Sequence, residues 1–85
     1  MELVLKNAED FCNRGNAKYD LEDYQGAIPD YNKAIEINPN FAWAYINRGA
    51  SKNKLGDKNG ARVDWTKAGE LGMDKAYDLI KKYCK

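Results

Sequence analysis

Small and apolar residues recur at helical spacing along most of the chain, and no run alternates with period two for long enough to argue a strand. Phe11, Gly15 and Tyr19 make one stripe, and Ala27, Tyr31, Ala34 and Ile35 make the next. Towards the C-terminus Ala76, Leu79, Ile80 and Tyr83 make another, with Asp78, Lys82 and Lys85 on the opposite side. The pattern predicts five helices, over residues 8–21, 24–37, 41–55, 58–71 and 75–84. Asn7, Asp23, Asn40, Asp57 and Asp74 stand just before these runs, where a side-chain oxygen accepts from the free N–H groups of a first turn. The short pieces between Leu21 and Tyr24, and between Leu55 and Lys58, require neighbouring helices to fold back antiparallel.

The stretch YNKAIEINP, Tyr31 to Pro39, returns 34 residues later as WTKAGELGM, Trp65 to Met73. The same shift pairs Asn13 with Asn47, Arg14 with Arg48, Gly15 with Gly49, Leu21 with Leu55, and Asp23 with Asp57. It also pairs Gly26 with Gly60, Ala27 with Ala61 and Ala34 with Ala68. Identities spread this widely mark a duplication, each copy a pair of helices that cannot bury its apolar face alone. Gly15, Gly49, Ala27 and Ala61 let neighbouring backbones approach closely. The altered second ending has a local meaning: Gly72 can take the left-handed conformation that closes a helix, and Asp74 then caps DKAYDLIKKYC. That last amphipathic helix is expected to cover the open face of the second copy.

These residues resemble the tetratricopeptide repeat family over residues 8–73. An aromatic falls at the fourth position (Phe11, Tyr45), glycine at the eighth (Gly15, Gly49) and alanine at the twentieth (Ala27, Ala61). A second aromatic follows at the twenty-fourth (Tyr31, Trp65), alanine at the twenty-seventh (Ala34, Ala68), and Pro39 closes the first copy. The resemblance implies an all-α, right-handed helical solenoid: repeat 1 over 8–41, repeat 2 over 42–75, a capping helix over 75–84, and one domain over 1–85. There are departures. Lys18 and Lys52 stand where the family often has tyrosine. Pro29, near the second turn of its helix, removes an N–H and is expected to loosen or kink it. Gly69 replaces the aliphatic found at Ile35 and lowers helix propensity by about 1 kcal/mol.

Composition narrows the chemistry. Histidine is absent, which removes Ser/His/Asp and Cys/His catalysis and the usual Cys/His zinc sites. No catalytic residue, metal or cofactor is expected, and the chain does not read as an enzyme. No stretch approaches the roughly 20 apolar residues of a membrane span. The first ten residues, MELVLKNAED, lack the order of a secretory signal. Two cysteines near opposite ends, Cys12 and Cys84, suit reduced thiols and a cytoplasmic setting. Net charge is +1 but unevenly spread: residues 1–41 sum to −4 and residues 42–85 to +5.

A protein or peptide ligand is the leading partner. The resemblance implies that the first helix of each repeat lines a concave surface. Carried over, the lining is Glu9, Cys12, Asn13, Asn16, Tyr19 and Asp20, then Trp43, Ile46, Asn47, Ala50, Asn53 and Lys54. Tyr77, Ile80, Lys81 and Cys84 follow from the last helix. Six of these are the candidate binding residues: Asn13, Asn16, Trp43, Asn47, Tyr77 and Lys81. Asn13 and Asn47 share a repeat position, and stacked side-chain amides can bracket an extended backbone without reading its sequence. Trp43 and Tyr77 offer large flat contacts. Asn16, Asn47 and Lys81 also resemble parts of the family's carboxylate clamp for chaperone tails, but Cys12 replaces an expected lysine. Two alternatives stay open. One is self-association, as a dimer or head-to-tail stack favoured by the charge split. The other, less favoured, is nucleic acid held by Arg48, Lys52, Lys54, Lys58, Arg62, Lys67, Lys81 and Lys82.

Overall fold

The computed structural model describes residues 6–84. Five helices follow one another: α1 (Ala8–Asp20), α2 (Tyr24–Ile37), α3 (Ala42–Lys54), α4 (Lys58–Glu70) and α5 (Lys75–Tyr83). Each packs on the next, and α1 also touches α3, so the chain is an all-α helical-repeat solenoid. The expected boundaries hold to within one residue at every helix end. Lys85, expected on the polar side of α5, lies outside the described residues.

The ends of the helices follow from a few residues. Asn7, Asp23 and Asp57 accept from the N–H groups of Asp10, Gly26 and Gly60, closing the first turns of α1, α2 and α4. Asn40 and Asp74 do not cap, contrary to expectation. The residue before α3 is Phe41, while the Asn40 N–H is itself taken by the Asn38 side chain. Asp74 already has helical backbone angles, so its carboxylate does not reach the first-turn N–H groups. At the other end, α1, α3 and α4 close alike. Asp23, Asp57 and Met73 donate back to Lys18, Lys52 and Ala68, while Glu22, Gly56 and Gly72 donate to Tyr19, Asn53 and Gly69. This closure needs a left-handed residue: Gly56 has φ +90°, Gly72 +106°, and Glu22, which pays the Cβ penalty, +60°. α2 ends differently, because Asn38 precedes Pro39 and is driven to extended geometry, φ −134°.

Pro29 does not break α2, which runs unbroken to Ile37. The carbonyl it leaves without a donor belongs to Gln25, an exposed residue, so water can satisfy it.

Inside each hairpin an aromatic ring is seated on a glycine. A Cβ at Gly15 would lie 2.7 Å from the Tyr31 ring, and one at Gly49 would lie 2.7 Å from the Trp65 indole nitrogen. Tyr31 and Trp65 are fully buried, and the Trp65 indole N–H donates 3.1 Å to the Ile46 carbonyl. Around them lie two cores. Ala8, Cys12, Ala27, Tyr31, Ala34 and Ala44 form one; Tyr45, Ile46, Ala61, Trp65, Ala68, Ala76 and Cys84 form the other. Ile35 touches both and joins them. α5 contributes Ala76, Leu79 and Ile80 as expected, whereas Tyr83 is 39% exposed beside Trp65. Gly69 now has a reason: the Tyr77 ring occupies the space its side chain would need.

The hairpins are also pinned by a buried carboxylate. Arg14 grips Asp30 with two hydrogen bonds, at 3.0 and 2.7 Å, and Lys18 joins at 3.1 Å. In the second copy Arg48 grips Asp64 at 2.9 and 2.7 Å, and Lys52 joins at 3.2 Å. Asp30 and Asp64 are 3% and 1% exposed, so unpaired they would be costly to bury. This explains the family departure at Lys18 and Lys52, which supply the second cation. Burial pushes the Asp30 carboxyl up, but the bonds from Arg14 and Lys18 outweigh it and hold the group below its ordinary 3.8.

Three outcomes are expected. Gly49→Ala should cost about 1–2 kcal/mol, since Trp65 is pinned and overpacking outweighs the gain in helix propensity. Gly69→Ala should be far milder, because the 41% exposed Tyr77 can swing outwards. Thermal melts of both variants beside wild type test the contrast. Glu22→Gly should stabilise by about 1 kcal/mol by removing the left-handed penalty, read in the same melts. Because the Asp30 carboxyl sits low in the folded chain, its contribution is complete above pH 3.8 and is lost as pH falls through the lower folded value. Wild type should therefore lose more melting temperature between pH 5 and pH 2 than Asp30→Asn does, the measurement being a pH series of melts.

Candidate functional site

α1 and α3 lie side by side because both pack on α2, and a hollow of about 750 Å³ opens between them. The volume is that of a small-ligand or peptide site. From α1 come Glu9, Cys12, Asn13, Asn16, Tyr19 and Asp20, spaced at threes and fours and so on one helical face. α3 adds Trp43, Asn47 and Ala50, with Phe41 just before it, and Tyr31 of α2 forms the floor. Four of the six sequence candidates thus meet here: Asn13, Asn16, Trp43 and Asn47. Tyr77 and Lys81 do not line this hollow. Tyr77 stands against Gly69 of α4, and Lys81 is exposed on α5.

The amides divide their work. Asn47 donates from Nδ2 to Asn16 Oδ1 at 2.8 Å, and the Tyr31 hydroxyl donates to the same oxygen at 2.7 Å. The expected ladder between Asn13 and Asn47 is therefore a rung between Asn16 and Asn47, which ties α3 to α1. Asn13 is exposed and its side chain makes no hydrogen bond within the described residues. Burial pushes the Tyr31 hydroxyl far above its usual range, so it stays a neutral donor. The Cys12 thiol is raised as well, by burial first and by Glu9, against a lowering contact from Asn47. It is a neutral, unreactive wall residue. Trp43 is 46% exposed, and the Lys75 ammonium of α5 sits 4.1 Å from its ring centre.

Other parts of the expected lining go elsewhere. Ile46 is buried in the second core, Cys84 is buried with its thiol 3.6 Å from the Lys58 carbonyl, and Asn53 and Lys54 lie outside the hollow. Tyr31 was legible only as a core residue, since nothing in its spacing says that a buried ring also floors a groove. Phe41 fell at a helix start and carried no signal of its own.

Of the eight basic residues named for nucleic acid, four are engaged within the fold and Lys54, Lys67, Lys81 and Lys82 are exposed. Arg48 and Lys52 hold Asp64, Lys58 donates to the Tyr83 carbonyl, and Arg62 donates to that of Cys84. Among the described residues no group of three His, Cys, Asp or Glu stands close enough to hold a metal ion. No described helix is long and apolar enough to cross a membrane.

The comparisons agree with this geometry. Residues 15–56 match the family model for the TPR repeat, a segment that runs from the glycine under Tyr31 to the closing turn of α3. No curated protein matches the chain. Repeats of this kind generally mediate protein–protein interaction and are as a rule non-catalytic. With a duplicated 34-residue register, five helices in solenoid order and the matching model, the chain belongs to the tetratricopeptide repeat family.

Proposed function

We propose that this chain is an interaction module that holds an extended segment of a partner protein in the hollow between α1 and α3, as an adaptor or assembly scaffold. One observation carries the reading. The hollow combines an exposed tryptophan, Trp43, an outward amide, Asn13, and a fixed amide pair, Asn16 and Asn47, on helices already braced from behind. An aromatic anchor on a pre-organised wall binds at little ordering cost, and amides satisfy a peptide backbone in either direction. Tyr77 and Lys81 would meet the same segment only where it runs on past α3 along the solenoid. The site has no nucleophile–base pair, so its chemistry is non-covalent.

The test is selection from a displayed library of random peptides, with the recovered sequences then measured singly. The second bait carries Trp43→Ala and Asn13→Ala, its folding checked by its melt. Neither residue hydrogen-bonds within the described residues through its side chain. The expected result is enrichment on wild type and at least tenfold weaker binding to the variant. Peptides that bind both equally, or no enrichment at all, would sink the assignment.

A further inference from the structure

The direction of charge on α1 says more about the occupant. We infer that the segment taken by the hollow is basic, with a lysine or arginine side chain seated at the end formed by Glu9 and Trp43; this rests on the reading just given.

Of the five charged residues of α1, Asp10 lies in the first turn and the other four divide between two faces. Arg14 and Lys18 turn towards α2 and are taken up by Asp30. Glu9 and Asp20 turn towards the hollow. Among the described residues no lysine or arginine lines it. A neighbouring smaller hollow, of about 360 Å³, is reached past Glu9 and Phe41, which line both, and it too has no basic residue in its wall. The buried carboxylate clamp thus removes positive charge from the groove side of α1 and leaves that side acidic.

The two ends of the hollow differ. Asp20 has Lys54 at the same position of the second copy, and Lys54 acts on the adjacent Tyr19 hydroxyl from α3. That end of the hollow therefore already has a cation near it. Glu9 instead has Trp43 at its repeat-equivalent position. An indole face and a carboxylate that line the same hollow can together attract an ammonium or guanidinium group, through the ring and through the full charge. The ring shows this capacity within the chain, since Lys75 rests 4.1 Å from its centre. An acidic segment would meet Glu9 and Asp20, and no lysine or arginine is among the described residues that line the hollow.

The experiment uses the full chain and four pools of acetylated, amidated heptapeptides, random except for a central Lys, Arg, Gln or Glu. Binding is followed by nuclear magnetic resonance on the Trp43 indole N–H and the Asn13 side-chain amide. The Lys and Arg pools should bind most tightly and the Glu pool most weakly, with the difference shrinking as salt rises. Glu9→Gln should reduce the Lys-over-Gln preference roughly two- to fivefold, the range of an exposed ion pair. Lys75→Gln, which takes a like charge off the same ring, should tighten the Lys pool. Gln or Glu pools that bind as well as Lys, or a preference that survives Glu9→Gln, would overturn the basic assignment while leaving peptide binding intact. Signals that no pool moves would overturn both. Signals that shift with protein concentration alone would give the hollow to a second copy of the chain.

Discussion

An aromatic ring seated on a glycine sets the distance between the two helices of each hairpin, and most of the structure is arranged around that spacing. Tyr31 presses on Gly15 and Trp65 on Gly49 at a separation that admits no further carbon. With the backbones this close, alanines suffice for the rest of the contact, and Ala27, Ala34, Ala61 and Ala68 are all completely buried. The same approach brings Arg14 within reach of Asp30 and Arg48 within reach of Asp64. A larger residue at either glycine would disturb the ring and the ion pair together, and at Gly15 also the floor of the hollow.

That floor is where packing becomes chemistry. Tyr31 does two things at once: its ring fills the first core and its hydroxyl fixes the Asn16 amide that receives Asn47. The amide rung on the groove wall is therefore held by the core behind it. A similar economy governs charge. Because Asp30 draws the two basic residues of α1, Arg14 and Lys18, to the rear, the front of that helix is left acidic.

Much of this architecture could be read from the sequence, since the 34-residue register and the apolar spacing determine helix order, helix limits and packing faces. Gly15, Tyr31, Gly49 and Trp65 announced themselves by position. The errors were local and have local causes. Asn40 looked like a cap, but Pro39 fixes the turn so that the Asn38 side chain reaches the Asn40 N–H first. Pro29 looked disruptive, but its orphaned carbonyl faces water. The two buried aspartates were invisible because a charged residue at a helical position reads as surface until its partner is known. Their partners lie one helix away, 16 residues back in sequence. Within the hollow, the contribution of α1 and the place of Trp43 were legible from repeat position. The direction of the Asn47 bond was not, because it depends on which amide across the groove already holds a hydroxyl.

The side-chain hydrogen bonds of the array are shared out unequally, and this bears on how it bends. Within a hairpin there is a clamped carboxylate, a ring locked on backbone and a short turn tied by its own amides. Between the hairpins the bonds are Asn47 to Asn16 and to the Cys12 sulfur, Arg48 to the Asn32 oxygen at 2.9 Å, and the Tyr45 hydroxyl to the Pro39 carbonyl at 3.0 Å. Mechanically these are two stiff plates on a more compliant hinge. One wall of the hollow belongs to each hairpin, so its width is set by how the two hairpins pack through α2 and Ile35. A segment that touches both α1 and α3 would act as a strut across the hinge, and occupancy of the groove would be felt as a change in the curvature of the solenoid.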